Sequence, residues 1–315
     1  MNRRQLGNTG IDISPLIFGG NVFGWTIDEE KSFKLLDHFV EAGFNCIDTA
    51  DVYSAWAPGN KGGESETIIG NWLKQKGQRE SLVIATKVGS DMGEGRKGLS
   101  KKYIIQAVEH SLKRLQTDYI DLYQSHFDFD DAPLQERLEA YTQLIKQGKV
   151  RAIGGSNYNS ARFTEALQTS KQHGLAFYQT LQPLYNLYDR EVQKDLQPLC
   201  VEHNISIIPY YSLAAGFLTG KYRTEKDVEK NPARAGGVNK YMNEKGFRIL
   251  TALDSVAAEC NTTPAQVSLA WLLSRPAVAA PIASATNVNQ LNDLIKSVQL
   301  KLDKSAIEKL NKAGD

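Results

Sequence analysis

The chain has 315 residues, 41% hydrophobic and 23% charged, which is ample for a sizeable core. Its 37 Lys and Arg balance 36 Asp and Glu with no basic block, which argues against nucleic acid as the main partner, because phosphate neutralisation needs clustered cations. No apolar run approaches the roughly 18 residues of a membrane span, and three widely spaced cysteines (Cys46, Cys200, Cys260) argue against a disulfide framework or a zinc cluster. Met1 to Gly7 lacks the apolar segment of a secretory leader, so a mature cytoplasmic protein without a membrane partner is expected.

Along the chain, Leu6-Gly7-Asn8-Thr9-Gly10 between short extended pieces predicts an N-terminal hairpin. Strand-like runs follow at about 16–20, 45–49, 82–88, 120–125, 150–155, 177–182, 206–211 and 278–283, with helical patterns between them. In the helix after Ser100, that serine caps, and Ile104, Val108, Leu112 and Leu115 share one apolar face. Eight β-then-α units without a composition break predict one closed (β/α)8 barrel over residues 1–315. An open doubly wound sheet is the competing architecture, but no Gly-x-Gly-x-x-Gly follows the first strand. Cys46, inside a strand, reads as a small buried hydrophobe. The rhythm breaks at about 214–244, where Gly216, Gly220, Pro232, Gly236 and Gly237 interrupt any periodicity. That stretch reads either as a functional loop, from which Lys221 and Arg234 would reach an anionic ligand, or as a solvated excursion.

Asp48, Lys87 and His126 stand 39 residues apart, each at the downstream end of an apolar run. Strand ends in a parallel barrel converge, so an acid, an amine and an imidazole placed there form one candidate site, joined by the phenol of Tyr53. An ammonium beside a phenol strengthens it as an acid against desolvation, Asp48 would hold Lys87 charged, and His126 would orient a substrate oxygen. Such a tuned proton donor suits hydride addition to a carbonyl, with a nicotinamide as the hydride source because no side chain supplies one. Hydrolysis by a serine triad lacks its Gly-x-Ser-x-Gly, and the five histidines lack metal-ligand spacing. Trp25, Trp56, Phe127 and Tyr158 would line an aromatic substrate mouth, with the two tryptophans equally readable as loop anchors. Asp128 reads as a solvated acid.

Asn45-Cys46-Ile47-Asp48-Thr49-Ala50-Asp51-Val52-Tyr53, then Gly63-Glu64-Ser65-Glu66, Ile84-Ala85-Thr86-Lys87 and Tyr123-Gln124-Ser125-His126, resemble the segments of the aldo-keto reductases in the family's order. Gly154-Gly155-Ser156-Asn157, Leu181-Gln182-Pro183-Leu184-Tyr185-Asn186 and Pro209-Tyr210-Tyr211-Ser212-Leu213 resemble its cofactor-side strand ends. Gly216-Phe217-Leu218-Thr219-Gly220-Lys221-Tyr222 is similar to the branch of bacterial general reductases and potassium-channel beta subunits. The resemblance implies a TIM barrel with extra C-terminal helices that reduces aldehydes or ketones. Tyr53 would be its general acid, Asp48 and Lys87 the tuning pair, and His126 the substrate orienter. It implies NADP(H), with NAD(H) as the alternative, held by Gly20, Asn21, Asp48, Ser156, Asn157, Gln182, Tyr210, Tyr211, Ser212, Leu213, Ala214, Gly216, Lys221, Ser284, Thr286, Gln290 and Asp293. The chain departs from the family pattern at Tyr211-Ser212-Leu213, at Ser284 and at Leu294. No Lys or Arg stands between Arg275 and Lys296. A 2′-phosphate would therefore depend on Lys221, Arg223 or Arg234, of which Arg234 is preferred. A cofactor-binding regulatory subunit is the alternative function, although the channel subunits typically carry asparagine where His126 stands. Neither the oligomeric state nor the identity of the carbonyl is legible.

Overall fold

The structure, a computed structural model, describes residues 2–93, 95–230 and 232–315, without the side chains of residues 232–234. Arg234, the preferred phosphate anchor, therefore has its side chain outside the described residues. The chain opens with an antiparallel hairpin of β1 (Arg4–Gln5) and β2 (Asp12–Ile13), in register Arg4 to Ile13. Gly7 turns the hairpin with φ +51°, and a side chain there would come within 2.6 Å of the Gln179 carbonyl. Leu6, Ile11 and Ile13 of this hairpin pack against Ile17, Cys46, Val83, Ala85, Leu122, Ala152 and Ile208, closing the N-terminal end of a barrel.

The barrel strands are β3 (Ile17–Gly19), β4 (Cys46–Asp48), β5 (Val83–Val88), β6 (Ile120–Ser125), β7 (Val150–Ser156), β8 (Tyr178–Gln182), β9 (Ser206–Ile207) and β10 (Ile282–Ala283). They are parallel in the order β10-β3-β4-β5-β6-β7-β8-β9. The ring closes where Ile207 N donates to Ala277 O (2.7 Å), Ala279 N to Ile207 O (2.9 Å) and Ile282 N to Pro209 O (3.0 Å). All eight predicted strands are present, and the two shortest are those whose pairing continues as single backbone bonds through 277–282.

Outside the strands lie α1 (Glu29–Glu41), α2 (Glu64–Lys76), α3 (Lys101–Leu115), α4 (Leu134–Lys146), α5 (Ser160–His173) and α6 (Leu196–Glu202). In α3, Ser100 caps by accepting from the Tyr103 amide, and Ile104, Val108, Leu112 and Leu115 are buried as the spacing predicts. Each such side chain contributes roughly 1.5–3 kcal/mol on leaving water. The 214–244 stretch is not one loop. It contains a 3-10 turn (Ala214–Thr219) and two short helices, α7 (Glu225–Glu229) and α8 (Pro232–Val238). Local capping explains this: Thr224 and Asp227 form a reciprocal capping box at α7, and Pro232 opens α8 where a missing N–H costs nothing. These helices are too short to show apolar periodicity. Then come α9 (Glu244–Glu259), α10 (Pro264–Leu273), α11 (Val288–Lys296) and α12 (Lys304–Gly314). Among the described residues no helix is long and apolar enough to cross a membrane, and no group of three or more His, Cys, Asp or Glu is placed to hold a metal.

Between barrel and helices lies a polar layer that the sequence reading did not identify. Glu66 of α2, fully buried, accepts from Thr86 Oγ1 (2.5 Å) and from Arg114 Nε (2.6 Å). Asp51 is buried beside this pair without a hydrogen bond to either carboxylate oxygen. It faces a cavity of about 30 Å³ lined also by Arg96, Tyr103, His110 and Arg114. Burial, reinforced by the Glu66 charge, raises the Asp51 pKa from 3.8 to about 8. The folded chain thus holds a proton that the unfolded chain releases, so stability declines as pH rises through that interval. Asp51→Asn should remove this decline, which is on the order of several kcal/mol between pH 5 and pH 9. Urea unfolding of both proteins at the two pH values measures it; equal pH dependence would show that Asp51 folds already ionised.

Candidate active site

Asp48 and Lys87 lie at the C-terminal ends of their strands, and His126 directly follows one. Parallel register sets Asp48 beside Ala85, so Lys87 stands two residues nearer the mouth. Beyond β4 the chain keeps following β5, with Thr49 N donating to Ala85 O (2.8 Å) and Asp51 N to Lys87 O (3.2 Å). A turn from Ala50 O to Tyr53 N (3.2 Å) then brings the phenol back over the strand ends. Ser54, at φ +74°, pins that turn by donating to Phe23 O (2.6 Å).

These constraints place the Lys87 ammonium, fully buried, against three oxygens: Asp48 Oδ2 at 2.7 Å, Thr49 O at 2.8 Å and Tyr53 OH at 2.9 Å. Three donors meet three acceptors, which satisfies the cation. The other Asp48 oxygen accepts from Gln182 Nε2 (2.9 Å) and Gln124 Nε2 (3.3 Å). Room for these amides comes from Gly154, where a side chain would meet Thr180 Oγ1 at 2.1 Å and Gln124 Cγ at 3.2 Å. The His126 ring stands edge-on to Tyr53 with centroids 6.0 Å apart, and its Nδ1 lies 2.9 Å from Ser90 Oγ.

Burial would lower the Lys87 pKa, but the Asp48 charge and the Tyr53 oxygen outweigh it, and the ammonium is held above its ordinary value. Burial raises the Tyr53 pKa despite the opposing pull of Lys87, so in this resting state desolvation wins over the strengthening expected from the ammonium. Burial, with the Lys87 charge, holds the His126 imidazole well below its ordinary value, hence neutral at pH 7.

Several of the expected cofactor-side residues are bonded to one another in small groups. Ser156 Oγ donates to Gln182 O (2.8 Å), Asn157 Nδ2 to His126 O (2.8 Å), and Tyr210 OH to Asn157 Oδ1 (2.8 Å). Ser284 Oγ sits within 2.7 Å of Gly19 O and 2.6 Å of Asn21 Oδ1, bringing Gly20 and Asn21 to the same rim. Tyr211, Ala214 and Ala215 have positive φ (+54°, +49° and +57°), a concentration of strained backbone, and Gly216 (+94°) continues the bend without that cost. The Lys221 ammonium lies close to Gly216, where an added Cβ would come within 3.5 Å of Nζ.

Several of the residues singled out from the sequence are bonded within the protein. Gln182 Nε2 donates to Asp48 Oδ1 (2.9 Å) and to Gln124 Oε1 (3.2 Å). Ser212 Oγ donates to Pro209 O (3.0 Å). Arg223 is committed to Gly220 O (2.8 Å) and Asp254 (2.7 Å) on α9. Asp293 ties α11 to α10 through Thr263 (2.9 Å) and Gln266 (2.6 Å), while Thr286 bonds Gln290. Asp128 is no solvated acid: Arg137 (2.8 Å) and Arg162 (2.8 Å) clamp it, and Arg137 also donates to Tyr158 (2.7 Å). Tyr158 is consequently buried under the mouth rather than lining it. Trp25, Trp56 and Phe127 do gather at the rim, with Trp56 and Phe127 48% and 42% exposed. Sequence reasoning gave no role to Gln124 or Ser90. Gln124 was legible, since it shares strand parity with inward-facing Leu122; Ser90, beyond the strand, carried no such signal.

The aldo/keto reductase family model matches residues 15–315. The chain is 34% identical to "Uncharacterized oxidoreductase YrpG" of Bacillus subtilis (strain 168), covering 99% of this chain and 95% of that protein. It is 30% identical to "Protein tas" of Escherichia coli (strain K12), over 98% of this chain and 96% of the relative. It is also 31% identical to a "Probable voltage-gated potassium channel subunit beta" of Arabidopsis thaliana, over 95% and 92%. With a strand-end site on a parallel barrel and a family match over nearly its whole length, the chain belongs to the aldo/keto reductase family.

Proposed function

We propose that the protein reduces an aldehyde or ketone to the alcohol using NADP(H), with Tyr53 as general acid. The observation that carries this reading is the Lys87 ammonium seated between Asp48 Oδ2 (2.7 Å) and Tyr53 OH (2.9 Å), beside a neutral His126. A bound nicotinamide would supply the hydride. As the carbonyl oxygen gains charge, Tyr53 gives it the phenolic proton, and Lys87 compensates the phenolate left behind. Asp48 keeps that compensation in place, and His126 hydrogen-bonds the substrate oxygen.

The site fits such a cofactor in its polar arc of Ser156 and Asn157, the Tyr210 ring held by its bond to Asn157, and the bent backbone at 214–216 near Lys221. Tyr210 would stack on the nicotinamide, Leu213 to Gly216 would follow the pyrophosphate, and Ser284, Thr286 and Gln290 would face the adenosine end. Trp25, Trp56 and Phe127 favour an aromatic or apolar carbonyl compound. A cytoplasmic setting suits this chemistry. Relatives named as channel beta subunits favour a second reading, a regulatory subunit that binds the cofactor; it predicts negligible turnover with retained binding.

Tyr53→Phe should lower carbonyl reduction about 100-fold or more while leaving cofactor affinity within a few-fold. NAD(P)H consumption with an aromatic aldehyde and with methylglyoxal is the readout, and equal activity in both proteins would sink the assignment. NADPH should bind more tightly than NADH, and Arg234→Ala should cost roughly tenfold in NADPH affinity alone. Fluorescence titration decides it: unchanged NADPH affinity in the variant rules out Arg234 as the phosphate anchor.

A further inference from the structure

Ser90 stands where β5 has ended and the chain has turned. Gly89, at φ +116°, makes that turn, and its carbonyl accepts from Gly98 N at 2.9 Å. At that position an added Cβ would meet Leu99 at 3.0 Å. The turn delivers the hydroxyl of Ser90, a residue only 6% exposed, to 2.9 Å from His126 Nδ1. The imidazole is fixed from its backbone side as well, His126 N donating to Val88 O (2.9 Å) and its carbonyl accepting from Asn157 Nδ2 (2.8 Å).

Burial keeps the ring neutral, so its two nitrogens differ: one carries the proton and the other accepts. Among the described residues, Nδ1 is the hydrogen-bond partner of the Ser90 hydroxyl. If Nδ1 carried the proton, the hydroxyl would be the acceptor and its own O–H would lie buried without a partner. If the hydroxyl donates, its single proton is used, and only oxygen lone pairs are left less than filled. Buried donors are orphaned more rarely than acceptors, which have two lone pairs to fill.

We propose that Ser90 is a positioning residue: its hydroxyl donates to His126 Nδ1 and thereby holds the proton on Nε2, the nitrogen left to donate to a substrate carbonyl oxygen. The role of the donated Nε2 proton rests on the carbonyl-reductase reading above; the tautomer itself does not. A neutral imidazole with the opposite tautomer would present a lone pair to the substrate oxygen and repel it.

The test is ¹⁵N NMR of the full-length protein labelled at histidine, with the His126 signals identified by their loss in His126→Gln. The wild type should show the two ring nitrogens widely separated in shift, with the protonated one assigned to Nε2. In Ser90→Ala the two shifts should move towards each other as both tautomers become populated, and Ser90→Thr, which keeps the hydroxyl, should restore the separation. In parallel, Ser90→Ala should lower kcat/KM for the carbonyl about tenfold, the effect of one hydrogen bond, with Ser90→Thr recovering most of it. Cofactor affinity should not move. A wild-type ring protonated on Nδ1, or a Ser90→Ala spectrum identical to wild type, overturns the proposal. If the spectra behave as stated while no carbonyl is reduced by any of the proteins, the positioning role stands and the carbonyl-reductase reading fails.

Discussion

The structure around the mouth depends on one buried ammonium. Lys87 has no access to solvent, and an unpaired cation in that position would cost many kcal/mol. Its three oxygens come from a carboxylate, a main-chain carbonyl and a phenol, and each is delivered by a different constraint. Asp48 comes with strand register, Thr49 O with the continuation of β4 along β5, and Tyr53 OH with the turn that Ser54 pins. Removing any one leaves a charge or a polar group partly unsatisfied, so the arrangement is specified jointly. Burying such a pair contributes little net stability compared with apolar packing; what it secures here is geometry.

The remaining Asp48 oxygen extends this requirement across the barrel. Two glutamine amides from β6 and β8 must reach it, and Gly154 on the strand between them leaves the space. The irregular register between Ile153 and Gly154 lies at the same place, as expected where a local shift re-aims inward side chains. Beyond β9, the positive φ values at Ala214 and Ala215 store strain that surrounding packing sustains, with Ala214, Phe217 and Leu218 buried. A rigid polar floor and a strained rim are the two parts from which a site with fixed chemistry and a shaped entrance is made.

Much of this was legible because barrels convert sequence into position simply. Strand parity and strand ends are periodic features, so Asp48, Lys87 and His126 declared themselves, and the eight strands followed from apolar runs between turns. What did not show was whatever depends on contacts between elements. The parity of Gln124 pointed inward, but nothing local announced that Asp48 would need it. Asp293 and Arg223 carry no local signal of the neighbours on α10 and α9 that bond them. Asp128 looked solvated for want of any sequence signal that two arginines from α4 and α5 would clamp it. The short helices after Ala214 escaped because capping, not periodicity, defines them.

The electrostatics of the resting site bear on when catalytic power would be available. Lys87 and Asp48 cancel, while Tyr53 and His126 are both neutral, so these four groups together carry little net charge before reaction. The phenol is a weaker acid here than in water, because burial penalises its ionised form more than the nearby ammonium favours it. That penalty does not oppose the proposed chemistry, since an alkoxide forming beside the phenol is a far stronger base than water. Lys87 then faces a developing phenolate 2.9 Å away instead of a neutral hydroxyl, and its attraction grows only as the proton leaves. An interaction that strengthens along the reaction stabilises the transition state more than the ground state, which is the condition for accelerating the chemical step rather than merely tightening binding.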